Sequence, residues 1–417
     1  MSRVTSGSSN KLDQQDERLI ASSGSIGEVW NSTMSRIRGG DLGALPVVLG
    51  TVVIFVIFQF LNGFFLSSAN LSNLLTESAA LGVIALGSVV VMLVAQIDLS
   101  VGSMSGAASA ILGVGLTHAG FSLWLTIAIA IAVGAVVGLI YGVSFNFIRM
   151  PSFVITLAGL LVLLGLQLKI LGPDGSINIP FTSPIVEFMQ SAYVPREAAY
   201  ILAVLVAGVY LYSQLRRKQR RAKHDLSTGS ILSIALKAAV ALVTLEFATW
   251  YLNKDRGISA PFVWFVLLVV AMNVMLTRTR WGRSVFAVGG SAEAARRAGI
   301  NVNRVYVTVF MLCSVLAAVG GLMMAGRLAT ASISSGVGDT NLNAIAAAVI
   351  GGTSLFGGRG SAYSALLGVI VIAGIASGLT LMSLDSSIRF MITGTVLFIA
   401  VAVDSLTRRS RQIHGRA

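Results

Sequence analysis

The sequence predicts an all-α fold: a polytopic transmembrane helical bundle of about 10–12 membrane segments, some broken or re-entrant, with both termini in the cytoplasm. Three observations lead to this prediction. Uncharged apolar stretches alternate with short arginine-rich breaks along the chain. The composition is 55% hydrophobic and 11% charged, with a mean hydropathy of +0.83, a profile that a soluble core does not use. The basic residues also fall mostly on one side of the predicted segments.

Apolar runs long enough to cross the hydrocarbon core define the segments. Residues 46–66, PVVLGTVVIFVIFQFLNGFFL, contain no charge and supply the ~20 residues that a helix needs to cross ~30 Å. The pattern recurs to the end of the chain. In order, the predicted segments lie near 46–66, 76–95, 101–118, 124–147, 152–171, 197–215, 230–252, 259–277, 304–326, a short 342–356, 362–382 and 388–406.

The basic residues fix the predicted orientation. With these segments, 23 of the 30 lysines and arginines lie on the side that carries both termini, and a surplus of positive charge marks the cytoplasmic side. The predicted division is a cytoplasmic tail at 1–45, a membrane domain at 46–407 and a basic tail at 408–417. The net charge of +13 therefore reports topology, and nucleic-acid binding is not predicted. We interpret RRKQRRAKHD at 216–225 as an anchor on membrane lipid, with nucleic acid as its alternative ligand.

Catalytic, metal and cofactor signatures are missing. The segment GGTSLFGGRGS at 351–361 resembles a phosphate-binding loop, but Gly358 and Arg359 replace the lysine and the following hydroxyl residue. The three histidines are far apart in sequence, without metal-ligand spacing. We therefore predict no enzyme and no cofactor in this chain. If transport costs energy, an ion gradient or a separate ATPase must supply it.

Asp98 is the clearest intramembrane charge. It interrupts two apolar spans together with Gln96, in AQIDLSVGS, and a carboxylate facing lipid costs several kcal/mol. Two interpretations stay open. Asp98 and Ser100 could cap the helix that begins at 101, or they could line a substrate pathway. Glu77 opens the predicted span 76–95, where the positive end of the helix dipole would stabilise it.

Glycines indicate close packing and broken backbone. Gly134, Gly138 and Gly142 form one GxxxG series, and Gly374 with Gly378 forms another, which lets helices approach closely. The glycine-rich stretch 351–360 and the polar DTNLN at 339–343 are too broken for a full span, so we expect them to line a central cavity. The predicted pathway residues are Gln96, Asp98, Ser100, Asn341, Asn343, Gly351, Gly352, Thr353, Gly357 and Gly358.

Five ordered motifs resemble a known family. They are QIDLSVGSMSG at 96–106, RMPSFVITLAGLL at 149–161, WGRSVFAVGGSAEAARRAGI at 281–300, NAIAAAVIGGTSLFGGRGS at 343–361 and VAVDSLTRR at 401–409. The chain resembles the membrane permease subunit of bacterial ATP-binding-cassette importers for monosaccharides, the ribose, xylose and galactose group. The additional span at 230–252 is similar to the xylose-type members.

This resemblance implies an inner-membrane permease that translocates a monosaccharide, a pentose such as xylose. It implies a homodimer of the permease, a periplasmic or lipid-anchored sugar-binding protein, and cytoplasmic ATPase subunits that bind the ATP. In such importers a short cytoplasmic helix docks into the ATPase. Here SAEAARRAGI at 291–300 is similar to that docking pattern, and an ordinary cytoplasmic loop is its alternative interpretation. The predicted docking residues are Glu293, Ala294, Ala295, Arg296, Arg297 and Gly299.

Two other classes of function remain compatible with the sequence. One is a permease of the same superfamily for a branched-chain amino acid or a sugar-derived signal molecule. The other is an ion-coupled secondary carrier, although such carriers usually need buried carboxylates or histidines for their relays, and the predicted spans contain few.

Overall fold

The computed structural model describes residues 45–402 except 225, 227–229, 386, 389, 397 and 400, and helices dominate it. In chain order, they are α1 (Leu45–Leu61), α2 (Ser68–Leu93), α3 (Val101–Thr117), α4 (Leu123–Val143), α5 (Ser152–Leu171), α6 (Pro184–Gln190), α7 (Arg196–Lys223), α8 (Ile231–Leu252), α9 (Ala260–Arg278), α10 (Arg280–Gly290), α11 (Ala292–Arg297), α12 (Val302–Leu328), α13 (Thr340–Ile350) and α14 (Tyr363–Leu381). A π-helical turn, Ser144–Ile148, extends α4. Within the described residues, β1 (Ser176–Asn178) and β2 (Thr330–Ser332) pair antiparallel.

Eight helices in the described part of the chain are long and apolar enough to cross a membrane: α2, α4, α5, α7, α8, α9, α12 and α14. Three shorter apolar helices accompany them, namely α1, α3 and α13. At 1.5 Å per residue, the eleven residues of α13 reach only about 16 Å, roughly half of the hydrocarbon thickness. The polytopic helical bundle with broken segments is therefore confirmed.

The described residues form two compact units. The larger unit contains the described residues of 43–193 and of 258–417, and its centre is α2. In the most apolar 18 residues of α2, 83% of the residues are buried. They are buried because α12, α14, α13 and α9 all pack against this helix. Helix α12 also packs against α3 and α4. A helix that is apolar all round and enclosed in this way belongs to the interior of a bundle.

The glycine series on α4 faces α12, and the predicted close approach of helix backbones is confirmed here. A Cβ added at Gly138 would lie 2.5 Å from the carbonyl oxygen of Phe310, and one at Gly142 would lie 2.5 Å from the Cα of Val307. Gly134 meets the same helix one turn further along. Because these positions lack a side chain, the two backbones touch directly, which strengthens van der Waals packing where no hydrophobic driving force exists between helices.

The second glycine pair, on α14, receives aromatic rings from α1. A Cβ at Gly374 would lie 3.2 Å from Cζ of Phe55, and one at Gly378 would overlap the ring of Phe58. Phe55 also packs edge-on against Phe65, with 5.2 Å between the ring centroids. The predicted approach of two helix backbones is therefore wrong at this pair, because aromatic rings fill the space that the glycines leave.

The smaller unit is the helical hairpin of α7 and α8, within residues 194–257. Its side chains are largely exposed. Of the most apolar 18 residues of α8, only 6% are buried within the protein. One end of the hairpin carries basic residues in the last turns of α7. At the other end, the Lys254 ammonium lies 4.0 Å from the ring centroid of Trp250. Aromatic and lysine side chains at one end and arginines at the other are typical of a membrane-spanning hairpin.

The structure corrects the prediction for Glu77. Helix α2 begins at Ser68, whose preceding residue, Ser67, accepts a bond from Asn70 N. Glu77 therefore lies in the third turn and not at a helix N-terminus. Its carboxylate instead accepts a bond of 3.4 Å from Arg327. The prediction was wrong because a search for apolar residues misses the polar first turns of α2.

Several predictions concern the chain ends. The segment 388–406 lies partly within the structure, and the described residues between 387 and 402 are helical. The tails at 1–45 and 408–417 lie outside the described residues apart from Leu45. Their cytoplasmic orientation stays a prediction, as does the division into three domains.

Candidate functional site

Residues 94–100, between α2 and α3, form a break in the centre of the larger unit. Ala95 has a φ of +58°, a conformation that costs energy for a residue with a side chain and is often found at functional sites. Asp98 is 2% exposed. Its Oδ1 accepts a bond of 2.8 Å from Ser100 N and one of 2.7 Å from Ser100 Oγ.

The helix-cap interpretation of Asp98 and Ser100 is wrong. Ser100 is the N-cap of α3, but its side chain makes no capping hydrogen bond. Asp98 accepts from the amide of Ser100 itself, which precedes the first helical turn. The short Asp-Leu-Ser spacing directs the carboxylate back onto its own loop, so the amides of the first turn receive no side-chain acceptor from either residue.

The second oxygen of Asp98 is the unusual feature of the break. Oδ2 is buried and makes no hydrogen bond within the described residues. The Tyr141 phenol and the Cys313 thiol lie close enough to interact with the carboxylate electrostatically. A buried carboxylate oxygen without a strong donor carries a desolvation cost of about 1–3 kcal/mol, and the Cys313 thiol is the weak donor that lies beside this carboxylate.

Both backbone groups of Leu99 are held by other elements. Its N–H donates to Oγ1 of Thr156 on α5, at 3.1 Å. Its carbonyl accepts from Nδ2 of Asn341 at the start of α13, at 2.7 Å. The Oδ1 of Asn341 is buried without a partner in the described residues. The structure thus brings two predicted residues, Asp98 and Asn341, to the same break. It also adds Thr156, which the sequence analysis did not select because this residue lies within an apolar stretch.

Gln167 on α5 holds the segment that re-enters the bundle after β2. This residue is fully buried, and its Nε2 donates to the carbonyls of Ser332 and Ser335 at 2.8 and 2.9 Å. The re-entering segment then passes α3 closely, since a Cβ at Gly102 would lie 2.5 Å from the carbonyl oxygen of Gly336. The only signal for Gln167 in the sequence is that a polar residue stands in an apolar span.

The glycine-rich stretch 351–360 lies against the end of α2. Gly358 N donates to the carbonyl of Leu93 at 2.9 Å. A Cβ at Gly289, in the last turn of α10, would overlap that carbonyl and lie 2.6 Å from Gly358 N. We call Leu93, Gly289 and Gly358 the coupling contact, because it joins α10, α2 and the glycine stretch through backbone atoms.

The predicted docking segment follows α10 directly and forms α11. Ser291 caps it by accepting from Ala294 N, and Gly299 ends it with a φ of +82°, as glycines commonly do. The predicted pairing on one face is confirmed, since Glu293 lies 3.3 Å from Arg296 and 3.1 Å from Arg297. Ala295 is buried. The other docking residues are exposed.

The ten predicted pathway residues fall into two groups that meet at Ala95, since a Cβ at Gly357 would lie 2.7 Å from the Ala95 Cβ. Gln96, Asp98 and Ser100 belong to the break, and Asn341 contacts it through the Leu99 carbonyl. Asn343 is half-buried on α13. The remaining five belong to the glycine stretch: Gly351 and Thr353 are buried, Gly357 and Gly358 are half-buried, and Gly352 is exposed. Their role in a substrate pathway stays a prediction.

Comparison with known proteins places this arrangement among transport proteins. Residues 70–401 match the family described as branched-chain amino acid transport system permease component. The chain is 33% identical over 376 residues to the xylose transport system permease protein of Escherichia coli strain K12, covering 90% of this chain and 95% of that protein.

Other similar proteins act on other sugars. The galactose/methyl galactoside import permease protein of Salmonella typhimurium is 29% identical over 87% of this chain and 94% of its own length. The fructose import permease protein of Rhizobium meliloti is 28% identical over 88% of this chain and 86% of its own. No solved structure matches the chain.

Proposed function

The chain belongs to the family of branched-chain amino acid transport system permease components, and from this premise we propose that it translocates a monosaccharide, a pentose such as xylose. It is a multi-pass inner-membrane transport component and not an enzyme. It associates with an ATPase and with a substrate-binding protein. The observation that carries the choice of sugar is the 33% identity to a xylose permease over nearly the full length of both chains.

The coupling contact supports an ATP-driven mechanism. Helix α11 exposes its charged side chains, and one serine separates it from α10. A push on α11 therefore moves the end of α10, where Gly289 touches Leu93. Leu93 is the last residue of α2, five residues before Asp98. Rigid elements joined by backbone contacts transmit such displacements.

This geometry supports α11 as the docking site for the ATPase. The ion pairs of Glu293 are exposed, and such pairs contribute only about 0.3–0.5 kcal/mol each. Reversing their charge therefore leaves the fold intact while it changes the surface that a partner meets. We expect Glu293→Lys with Arg297→Glu to lose co-purification of the ATPase and uptake together. If both survive, the ATPase docks elsewhere, and the basic end of α7 is the next candidate.

The buried carboxylate count favours ATP over an ion gradient. Among the described residues, Asp98 is the one acidic side chain in the buried set, whereas ion-coupled carriers usually need several buried titratable groups. ATP itself is bound by the partner subunits in this proposal. The permease works as a homodimer, and lipid surrounds the exposed hairpin of α7 and α8.

The test is uptake by the purified complex in proteoliposomes, with its ATPase and binding protein. We expect uptake of radiolabelled D-xylose that requires ATP inside the vesicle and survives ionophores. Uptake of L-leucine and not of D-xylose would show that the substrate is a branched-chain amino acid and not a sugar. Uptake that needs an ion gradient and no ATP would establish a secondary carrier. The mass of the complex in detergent tests the homodimer.

A further inference from the structure

A polar cavity lies between the first turns of α2 and the last turns of α14. Its volume is about 210 Å³, enough for about seven water molecules at about 30 Å³ each. The space is therefore suited to a small polar molecule. The lining residues are Asn70, Asn73, Leu74, Glu77, Ser377, Thr380 and Leu381.

The cavity lies at the end of the bundle away from α11. Helix α12 begins at Val302, shortly after α11 in the sequence. Its last turn carries Arg327, which pairs with Glu77 at the cavity. The 27 residues of α12 span about 40 Å, more than the thickness of the hydrocarbon core. With α11 in the cytoplasm, as the positive charge predicts, the cavity opens toward the outside.

Three helices fix the polar groups of the lining. Ser377 Oγ donates to Asn70 Oδ1 at 2.9 Å, and Asn70 Nδ2 donates to the carbonyl of Phe65 at 2.7 Å. Arg327 donates to Glu77 at 3.4 Å. A carboxylate has about four acceptor sites, so Glu77 keeps acceptor capacity after this bond. The groups are thus held in place before any ligand arrives.

The chemistry of the lining matches a sugar. Hydroxyl groups of a sugar donate and accept hydrogen bonds, which amides, a carboxylate and a hydroxyl can answer. Leu74 and Leu381 add an apolar wall, against which the C–H faces of a sugar ring can pack. Because Arg327 neutralises Glu77, the cavity carries no net charge and suits an uncharged ligand.

We propose that this cavity is the site where the permease first holds the monosaccharide on its external side. The proposal rests on the proposed function and adds the residues that contact the sugar: Asn70, Asn73, Glu77 and Thr380. The cavity is separate from the Asp98 break, so the sugar would meet it before it reaches the centre of the bundle.

The first test compares two matched substitutions in the complete transporter. In Thr380→Val a hydroxyl is lost from the cavity lining. In Thr244→Val the same change occurs on α8, where the hydroxyl likewise donates to the carbonyl four residues earlier, at 2.8 Å in both cases. We expect the half-saturating concentration of the xylose-loaded binding protein to rise about three- to tenfold for Thr380→Val, the effect of one hydrogen bond to the sugar lost. Thr244→Val should match the wild type.

The second test detects occupancy directly. Asn73→Cys should react with a membrane-impermeant maleimide, and D-xylose delivered by the binding protein should slow this reaction. Cys313 is fully buried and stays in place. The control is Trp124→Cys, at an exposed position, whose labelling D-xylose should not change. A structural role for the cavity would not produce protection by sugar.

The outcomes separate this proposal from the proposed function. Wild-type uptake of D-xylose, combined with equal half-saturating concentrations for both valine variants and no protection at Asn73→Cys, overturns the cavity site and leaves the function standing. Protection by L-leucine but not by D-xylose overturns the sugar assignment. A wild-type complex that transports no sugar overturns both.

Discussion

Gly289→Ala tests the coupling contact with a single methyl group. The Cβ would point at the Leu93 carbonyl and lie 2.6 Å from Gly358 N. These two atoms form the 2.9 Å hydrogen bond that joins α2 to the glycine stretch. The methyl group cannot fit without separating them, because ordinary contact between heavy atoms begins at about 3.5 Å.

The cost follows from these distances. Moving the neighbours by about 1 Å breaks the hydrogen bond, a loss of about 0.5–1.5 kcal/mol. Overpacking in a close-packed interior adds about 1–3 kcal/mol. Together these two effects destabilise the contact by about 1.5–4.5 kcal/mol. Since 1.4 kcal/mol corresponds to about a tenfold change in an equilibrium, transport should fall at least tenfold.

The neighbouring glycine provides the matched control. Gly290 lies in the same last turn of α10, and a Cβ there meets nothing within 4 Å. Both alanines gain the same helix propensity, about 1 kcal/mol, so a difference between them reports the contact alone. The assay is ATP-dependent uptake, together with ATP hydrolysis stimulated by the loaded binding protein.

We expect Gly289→Ala to lose uptake and Gly290→Ala to stay within about twofold of the wild type. Continued ATP hydrolysis without uptake in Gly289→Ala would indicate that the motion of the ATPase no longer reaches α2. Equal uptake by the two variants would refute the coupling role of this contact.

Three further predictions concern the break, the helix packing and the topology. Asp98→Leu should abolish uptake in a complex that still assembles, because it removes the buried carboxylate from the break, whereas Asp98→Asn should retain part of it; normal uptake by the leucine variant would contradict a pathway role. Gly138→Ala should lower the free energy of unfolding in detergent by about 1–3 kcal/mol. Gly165→Ala, whose Cβ meets nothing within 4 Å, should not change it. Equal melting temperatures of the two variants would contradict the packing of α4 on α12. Arg217→Cys should react with an impermeant thiol reagent from the cytoplasmic side alone, and labelling from outside would reverse the orientation.

The sequence alone determined the class of protein and the local features. Hydropathy predicted the helices because a helix that crosses the bilayer needs an apolar run of fixed length. Its backbone hydrogen bonds form within the helix, so no partner segment has to be known. Gly299 marked the end of α11, and the spacing of Glu293 and Arg297 placed them on one helix face, since both depend on residues within one or two turns. The GxxxG series on α4 indicated close packing for the same local reason.

Only the tertiary structure decided which residues meet. It showed that Glu77 pairs with Arg327, 250 residues away, and that Thr156 and Asn341 hold Leu99 from two different helices. It also placed Gly289 against Leu93, although neither glycine spacing nor hydropathy relates them. These partners are set by how the helices pack in three dimensions, and a periodic apolar pattern describes a helix without naming the neighbour of any one face.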